Sequence, residues 1–134
     1  MSGRLLLRGV RVVDGRGVRA PKADVAIAGG RIVAISTSPL AAGGAEGARV
    51  LDLDGRTVAP GLMNAHSHVC LDGTSPDPEL ILRSETPAEN AVRSARRLER
   101  ILRMGVTAIR DVGAPWGVDI ALRRLVDAGE IQGP

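Results

Sequence analysis

The first half of the chain places short apolar runs between glycine-containing turns, a pattern that predicts β-strands. Residues 4–13 form the first run, with valines alternating against polar positions, and an Asp-Gly pair after it is typical of a tight turn. Further strands are predicted at residues 23–28, 31–36 and 50–53. A Gly-Gly pair, free to adopt positive φ, would close the hairpin between the second and third strands. Residues 37–48, rich in Pro, Ala and Gly, are expected to form a surface loop.

The second half changes to helical spacing. Residues 70–85 are expected to form an exposed loop with one short helical turn near residues 79–83. Thr86 with Glu89 three positions later predicts a capping box at the start of a long helix. Its apolar positions recur at helical spacing: Ala88, Ala91, Val92, Ala95, Leu98, Ile101 and Leu102. Five arginines fall on the other side and favour a solvated face over an anion-binding surface: Arg93, Arg96, Arg97, Arg100 and Arg103.

A strand is predicted at residues 106–112 and a second helix at residues 117–128. Its apolar side is expected to comprise Val118, Ala121, Leu122, Leu125 and Val126. Strand, helix, strand and helix with short connections imply parallel pairing and right-handed crossovers. Polar residues at the carboxyl ends of such strands gather at one edge, and four residues occupy these positions: His66, His68, Arg110 and Asp111.

Composition narrows the class of protein. The 134 residues hold 44% apolar and 25% charged residues, as expected for an ordinary globular domain. Trp116 is the only aromatic residue and the net charge is +3, so a nucleic-acid-binding surface is not expected. No apolar run is long enough to cross a bilayer, which argues against a membrane protein. A single cysteine, Cys70, fits a reducing cytoplasm.

Both histidines of the chain stand one residue apart, at His66 and His68, after an apolar stretch with a Pro-Gly step. Alternate residues of a strand point to the same face, so the two imidazoles can bind one divalent cation or supply half of a larger metal cage. Cys70, two positions further on, would share that face as a third ligand, although packing near the site is the favoured interpretation.

The residues from Pro60 to His68 resemble the first-strand signature of the amidohydrolase superfamily, normally Pro-Gly-(Leu/Phe)-Ile-Asp-x-His-x-His. Asn64 stands where the family usually has Asp, which removes a charge but keeps an oxygen acceptor. Residues 105–113 are similar to the second-strand motif Gly-Val-Thr-Thr-x-Arg-Asp-x-Gly of the imidazolonepropionase and Xaa-Pro dipeptidase-like branch.

This resemblance implies an α/β fold: the N-terminal part of a metal-dependent hydrolase with a TIM (β/α)8 barrel. Residues 1–58 would be the N-terminal half of a composite β-sandwich, and residues 59–134 the first two β/α units of the barrel. His66 and His68 would bind one or two divalent ions, usually zinc. Asn64, Arg110 and Asp111 would support the ligands or face the substrate.

The implied reaction is hydrolysis of a C–N bond in a cyclic amide or a dipeptide by metal-activated water. The family's carboxylated Lys, further His and last-strand Asp have no counterpart here: the chain has two His, and its one Lys, Lys22, precedes the barrel. No residue of this chain is therefore assigned as the catalytic base.

The chain is accordingly expected to be inactive alone, and unstable or self-associating until a C-terminal barrel portion or partner chain completes it. The resemblance further implies a homo-oligomer when complete. Two alternatives stay open: a non-catalytic degenerate homologue that acts as a scaffold or as the partner chain of a split hydrolase, and a simple one-ion metal-binding β domain.

Overall fold

The computed structural model describes residues 3–40 and 47–134. They form an α/β structure that divides into two compact units, with the boundary between Pro60 and Gly61. None of the helices in these ranges is long and apolar enough to span a membrane. Part of the loop expected at residues 37–48 lies outside the described residues, and the division at residues 58 and 59 stays a prediction.

The N-terminal unit is built on one five-stranded sheet, and the strands predicted from the alternation are confirmed. The strands are β1 (Leu5–Asp14), β2 (Gly17–Ala28), β3 (Arg31–Ser36), β4 (Arg49–Asp52) and β5 (Thr57–Val58). Hairpins join β1 to β2 and β2 to β3, whereas β4 and β5 both pair with β1 in parallel. β2 begins six residues before its predicted start, because the Asp-Gly turn leads directly into pairing with β1.

The core of this unit is aliphatic, as the lack of aromatic residues requires. Its buried members are Val10, Val12, Ala20, Ala23 and Val25. Asp24 is buried beside them, 6% exposed, and its carboxylate accepts hydrogen bonds from the backbone N–H groups of Gly9 and Leu40, each at 3.0 Å. These two bonds hold the pKa of Asp24 below its usual range, the Leu40 bond having the larger effect.

The C-terminal unit contains two strands and three helices: β6 (Leu62–Ser67), α1 (Leu80–Ser84), α2 (Pro87–Arg103), β7 (Val106–Asp111) and α3 (Val118–Asp127). A short 3-10 turn at Pro115–Gly117 precedes α3. The expected parallel pairing is confirmed between β6 and β7, with the long crossover through α2. Each predicted helix is present within a few residues of its expected bounds.

Helix α2 begins with the expected capping box. The Thr86 hydroxyl accepts from the backbone N–H of Glu89, and the Glu89 carboxylate accepts from the backbone N–H of Thr86. The predicted apolar face is wrong at its edges, since Ala88 is exposed and Val92 is 61% exposed. The deeply buried stripe follows instead the i, i+4, i+8 spacing of Asn90, Ser94 and Leu98.

Two polar side chains lie in this stripe because they bond to the segment that follows the histidines. The Asn90 amide donates to the carbonyl oxygen of Cys70 at 3.1 Å, and the Ser94 hydroxyl donates to the Cys70 sulfur at 3.6 Å. Cys70 is fully buried, in a cluster with Val69 and Leu98, and burial raises the pKa of its thiol. The chain leaves the strand after Ser67, so the expectation that Cys70 shares the histidine face is wrong, and the packing interpretation holds.

Strands β6 and β7 approach each other closely at their amino ends. The register skips one residue of β7 between Val106 and Ala108, so Thr107 is the extra residue of a bulge. A Cβ atom added at Gly61 would lie 1.9 Å from the Thr107 hydroxyl oxygen. The close approach of Thr107 in β7 therefore leaves no room for a side chain at position 61.

Candidate metal centre

The two histidine rings converge at the carboxyl end of β6. His66 lies in the strand and His68 one residue beyond its end. Their ring centroids are 5.3 Å apart with an interplanar angle of 72°, and both residues are exposed. The imidazoles therefore face the same region of solvent and are close enough to share one ion.

His66 lies in a β-bulge of β6. Between Asn64 and Ser67, β6 advances three residues while β7 advances two, from Ile109 to Asp111. This irregularity breaks the strict alternation assumed from the sequence. The side-chain oxygen of Asn64 accepts a hydrogen bond from the backbone N–H of His66 at 3.1 Å, satisfying a donor inside the bulge. Asn64 thus holds the backbone of His66. This role needs only a hydrogen-bond acceptor, so it does not require the negative charge of the Asp that is usual at this position.

The orientation of His68 is set by a backbone carbonyl. Its Nδ1 atom lies 3.1 Å from the carbonyl oxygen of Gly113, in the loop after β7. A carbonyl oxygen can only accept, so Nδ1 donates in this contact, and in the neutral imidazole Nε2 then carries the lone pair. This is the arrangement in which a histidine presents Nε2 to a metal while its other nitrogen is held by an outer partner.

Asp111 joins the ends of the two strands. Its carboxylate accepts from the backbone N–H of Val69 at 2.8 Å and from that of Gly113 at 3.0 Å. It therefore fixes the residue after His68 and the residue that holds the His68 ring. Both contacts are those of a residue that caps a strand end or a turn. Arg110, in contrast, is exposed at the same strand end and forms no ion pair with any described residue.

Sequence reasoning missed two partners of this region. Gly113 acts through its carbonyl oxygen, a role that its residue type does not reveal. Its position at the end of the second-strand motif was the only sequence feature that pointed to it. Arg97 was assigned to a solvated face, yet its guanidinium donates to the carbonyl oxygen of Val69 at 3.2 Å. Its spacing alone carried no sign of this contact, because Val69 lies 28 positions earlier in the chain.

The donor set fits half of a zinc site. Two imidazoles, one of them with its Nδ1 atom held by a backbone carbonyl, are suitable ligands, and zinc takes four ligands in all. In residues 3–40 and 47–134 no group of three or more His, Cys, Asp or Glu side chains could hold a metal ion.

The chain is similar in sequence or structure to several known hydrolases. No protein-family model matches the chain. The N-substituted formamide deformylase of Arthrobacter pascens is 41% identical over 69 residues, which are 51% of this chain and 12% of that enzyme. The chain thus spans about an eighth of the length of this curated relative.

Solved structures match nearly the whole chain. A prolidase complexed with N-methylphosphonate-L-proline is 32% identical with a TM-score of 0.81, and the match covers 98% of this chain and 30% of the prolidase. Phenylurea hydrolase B is 26% identical with a TM-score of 0.80, over 98% of this chain and 29% of that one. A Xaa-Pro dipeptidase with bound methionine, 24% identical over 98% of this chain and 32% of its own length, has a TM-score of 0.79 and supports the fold alone. The chain is therefore similar, over nearly its whole length, to an N-terminal portion of amidohydrolases that accounts for under a third of those enzymes.

Proposed function

We propose that this chain is the N-terminal portion of a metal-dependent amidohydrolase that hydrolyses C–N bonds in a cyclic amide or a dipeptide. His66 and His68 hold a zinc ion in this proposal. The observation that carries it is the convergence of the two imidazoles, 5.3 Å apart, with Nδ1 of His68 held by Gly113.

The residues of the chain have separate tasks in this scheme. The Gly113 contact leaves Nε2 of His68 free to bind the metal. The bulge held by Asn64 turns His66 toward the same point. Asp111 keeps the two strand ends in register, so the distance between the rings is preserved. When bound, zinc lowers the pKa of a coordinated water and polarises the scissile carbonyl.

The proposal extends to the architecture of the complete enzyme. Residues 59–134 would be the first two β/α units of a (β/α)8 barrel, and residues 1–58 part of a β-sandwich. The parallel β6–β7 pair and its helical crossover support the barrel, since this is the repeating unit of that fold. The missing ligands and catalytic base would come from a C-terminal portion or a partner chain. The complete enzyme would be a cytoplasmic homo-oligomer.

Zinc binding by the chain itself is the first test. Calorimetric titration of the 134-residue chain with zinc should give a site that is lost in His66→Ala and in His68→Ala. Ser67→Ala is the matched control, because it lies between the two histidines and leaves both imidazoles in place. Equal zinc binding by the wild type and both histidine variants would refute the assignment of the ligands.

A chimera tests the activity. Residues 1–134 would replace the matching segment of the 32%-identical prolidase, which supplies the remainder of a barrel. We expect dipeptide hydrolysis by the chimera and a loss of at least about a thousandfold on replacing either histidine. A folded chimera that binds no metal and has no activity would favour the non-catalytic scaffold instead. Circular dichroism and gel filtration separate that outcome from a chimera that does not fold.

A further inference from the structure

A short loop joins β7 to α3, and it holds the only aromatic residue of the chain, Trp116. In residues 3–40 and 47–134, Trp116 is the one residue other than glycine that has a positive φ, 58°. We propose that its indole forms an apolar wall of the substrate site and favours amides with a large apolar group beside the scissile C–N bond. This inference rests on the proposed function, because it names the substrate that the candidate metal centre would act on.

The backbone of Trp116 is strained. Its φ of 58° and ψ of 12° lie in the left-handed helical region. A side chain with a Cβ atom crowds the following carbonyl oxygen in this conformation, so the conformation is uncommon for residues other than Gly, Asn and Asp and rare for bulky ones. Gly117, with φ 67° and ψ 24°, adopts the same conformation without this crowding. Such strain persists where neighbours impose it, and it is frequent at binding sites.

Contacts on both sides of Trp116 impose this conformation. Before it, the backbone N–H of Gly113 donates to the Asp111 carboxylate at 3.0 Å, and Ala114 packs against the buried cluster of the C-terminal unit. After it, Val118 belongs to that cluster and is 6% exposed. The strain therefore arises between two fixed segments of the chain itself.

The indole contributes little to the core. Trp116 is 50% exposed and belongs to neither buried cluster of the described residues. Gly at position 116 would remove the strain, and Asn would reduce it. A large aromatic side chain at a strained and half-exposed position is therefore better explained by binding than by packing.

Trp116 lies close to the candidate metal ligand His68 along the chain of contacts. Gly113, three positions before Trp116, has its carbonyl oxygen 3.1 Å from Nδ1 of His68. Three Cα–Cα steps of about 3.8 Å span at most about 11 Å, so the Trp116 backbone lies within that distance of Gly113. Loops that follow the carboxyl ends of parallel strands form the active sites of β/α barrels, and this loop follows β7. The loop thus places Trp116 at the end of the sheet where His68 would bind its ion.

The chemistry of the loop favours an apolar substrate group. Residues 114–118 read Ala-Pro-Trp-Gly-Val and carry no charged side chain. An indole offers a large, rigid apolar face, and covering it with a branched aliphatic or aromatic group removes apolar area from water. A cationic group can also bind an indole face, but Arg110, exposed at the end of β7, places a positive charge at the start of this region and disfavours it.

Unfolding measurements separate a binding role from a packing role. Trp116→Gly removes half-buried contacts but also removes the strain, so the urea midpoint of the 134-residue chain should move by less than about 0.7 M. Leu122→Ala truncates a side chain in the core of the same unit and should lower the midpoint by at least about 1 M. Equal losses would make the indole a packing residue and would overturn the proposal.

Kinetics of the prolidase chimera test the substrate preference. The dipeptides Leu-Pro and Gly-Pro differ only in the side chain beside the scissile bond. We expect Trp116→Gly to lower kcat/KM for Leu-Pro at least about tenfold, mainly through KM, and for Gly-Pro less than about twofold. Zinc binding should be unchanged, because both imidazoles stay in place.

Further variants and a third peptide sharpen the test. Trp116→Phe keeps an aromatic face and should retain most of the preference for Leu-Pro. Val92→Ala is the matched control, because Val92 is an exposed apolar residue of α2, and it should alter kcat/KM for either peptide less than about twofold. A larger loss for Lys-Pro than for Leu-Pro in Trp116→Gly would indicate a cationic substrate group and would overturn the apolar assignment.

The role of Trp116 and the proposed function fail in different ways. A folded chimera that hydrolyses both Leu-Pro and Gly-Pro, and loses both equally on Trp116→Gly, would retain the proposed function and overturn the role of Trp116. A folded chimera that hydrolyses neither peptide would refute the proposed function, and the substrate preference would fall with it.

Discussion

The carboxylate of Asp111 lies 2.8 Å from the backbone nitrogen of Val69, a residue 42 positions earlier in the chain. The same carboxylate holds the N–H of Gly113, whose carbonyl oxygen binds Nδ1 of His68. The Asp111 side chain thus connects the ends of β6 and β7, and the position of the candidate ligand His68 depends on both.

Replacement of Asp111 should loosen this junction. Asp111→Ala removes the acceptor of two backbone donors, and we expect a loss of about 1–3 kcal/mol in the free energy of unfolding. Asp127→Ala is the control, since Asp127 is exposed and its partner Arg123 is 3.7 Å away, and it should change stability by less than about 0.5 kcal/mol. Urea denaturation measures both values. Equal losses in the free energy of unfolding would show that the two Asp111 hydrogen bonds stabilise the chain no more than the exposed Asp127 does.

Asn64 should stabilise the chain through its side-chain oxygen, and a negative charge at this position should have little effect. Its oxygen bonds the backbone N–H of His66, so Asn64→Asp keeps the acceptor and Asn64→Ala removes it. We expect Asn64→Ala to cost about 0.5–1.5 kcal/mol, and Asn64→Asp to stay close to the wild type. Urea denaturation again supplies the values. A destabilised Asn64→Asp variant with an unaffected Asn64→Ala variant would contradict the role.

Gly61 should not tolerate a side chain. A Cβ atom there would lie 1.9 Å from the hydroxyl oxygen and 2.3 Å from the methyl carbon of Thr107. Gly61→Ala should therefore destabilise the chain by about 3 kcal/mol or push the strands apart. Gly73→Ala is the matched control, because nothing lies within 4 Å of its added Cβ. Adding Thr107→Gly to Gly61→Ala should restore part of the loss in thermal unfolding, and no restoration would point to backbone strain instead.

Asp24 should make the N-terminal unit sensitive to acid. Its folded pKa lies below the ordinary value because Leu40 and Gly9 donate to the carboxylate. A depressed folded pKa adds stability that is full above the unfolded pKa of about 3.9 and is lost as the pH falls through the folded value. Wild-type stability should thus fall as the pH drops below the unfolded pKa of about 3.9 toward the lower folded value.

Asp24→Asn removes this titration, so urea denaturation should show lower stability at neutral pH and a shallower decline in acid. Asp52→Asn is the control: Asp52 is exposed, and among the described residues its carboxylate accepts one hydrogen bond, from the backbone N–H of Asp54 at 3.3 Å. Equal pH slopes for the wild type and Asp24→Asn would refute the account.

Local patterns were sufficient for the elements themselves. The strands at 31–36 and 106–112 and the capping box at Thr86 follow from alternation, turn residues and side-chain bonds within a few positions. Parallel pairing of β6 and β7 followed from the long helical crossover, since a short connection cannot join parallel strands.

Local patterns could not predict the register of the strands or which polar residues are buried. The bulges at His66 and Thr107 arise because each strand must fit its partner, and a hydrophobic pattern is blind to one extra residue. Asn90 and Ser94 belong to the buried stripe of α2 because Cys70 offers them bonds from 20 and 24 positions away. A polar side chain can be buried once it has a partner, and the partner is known only from the folded chain.

The amino-acid order by itself determined the two histidines, their spacing and their place after an apolar strand. The tertiary structure decided where their rings point, through a bulge, a glycine carbonyl and a carboxylate that lie up to 45 positions away. Hydrogen bonds between distant segments exist only when packing brings those segments together, so no local pattern can reveal them.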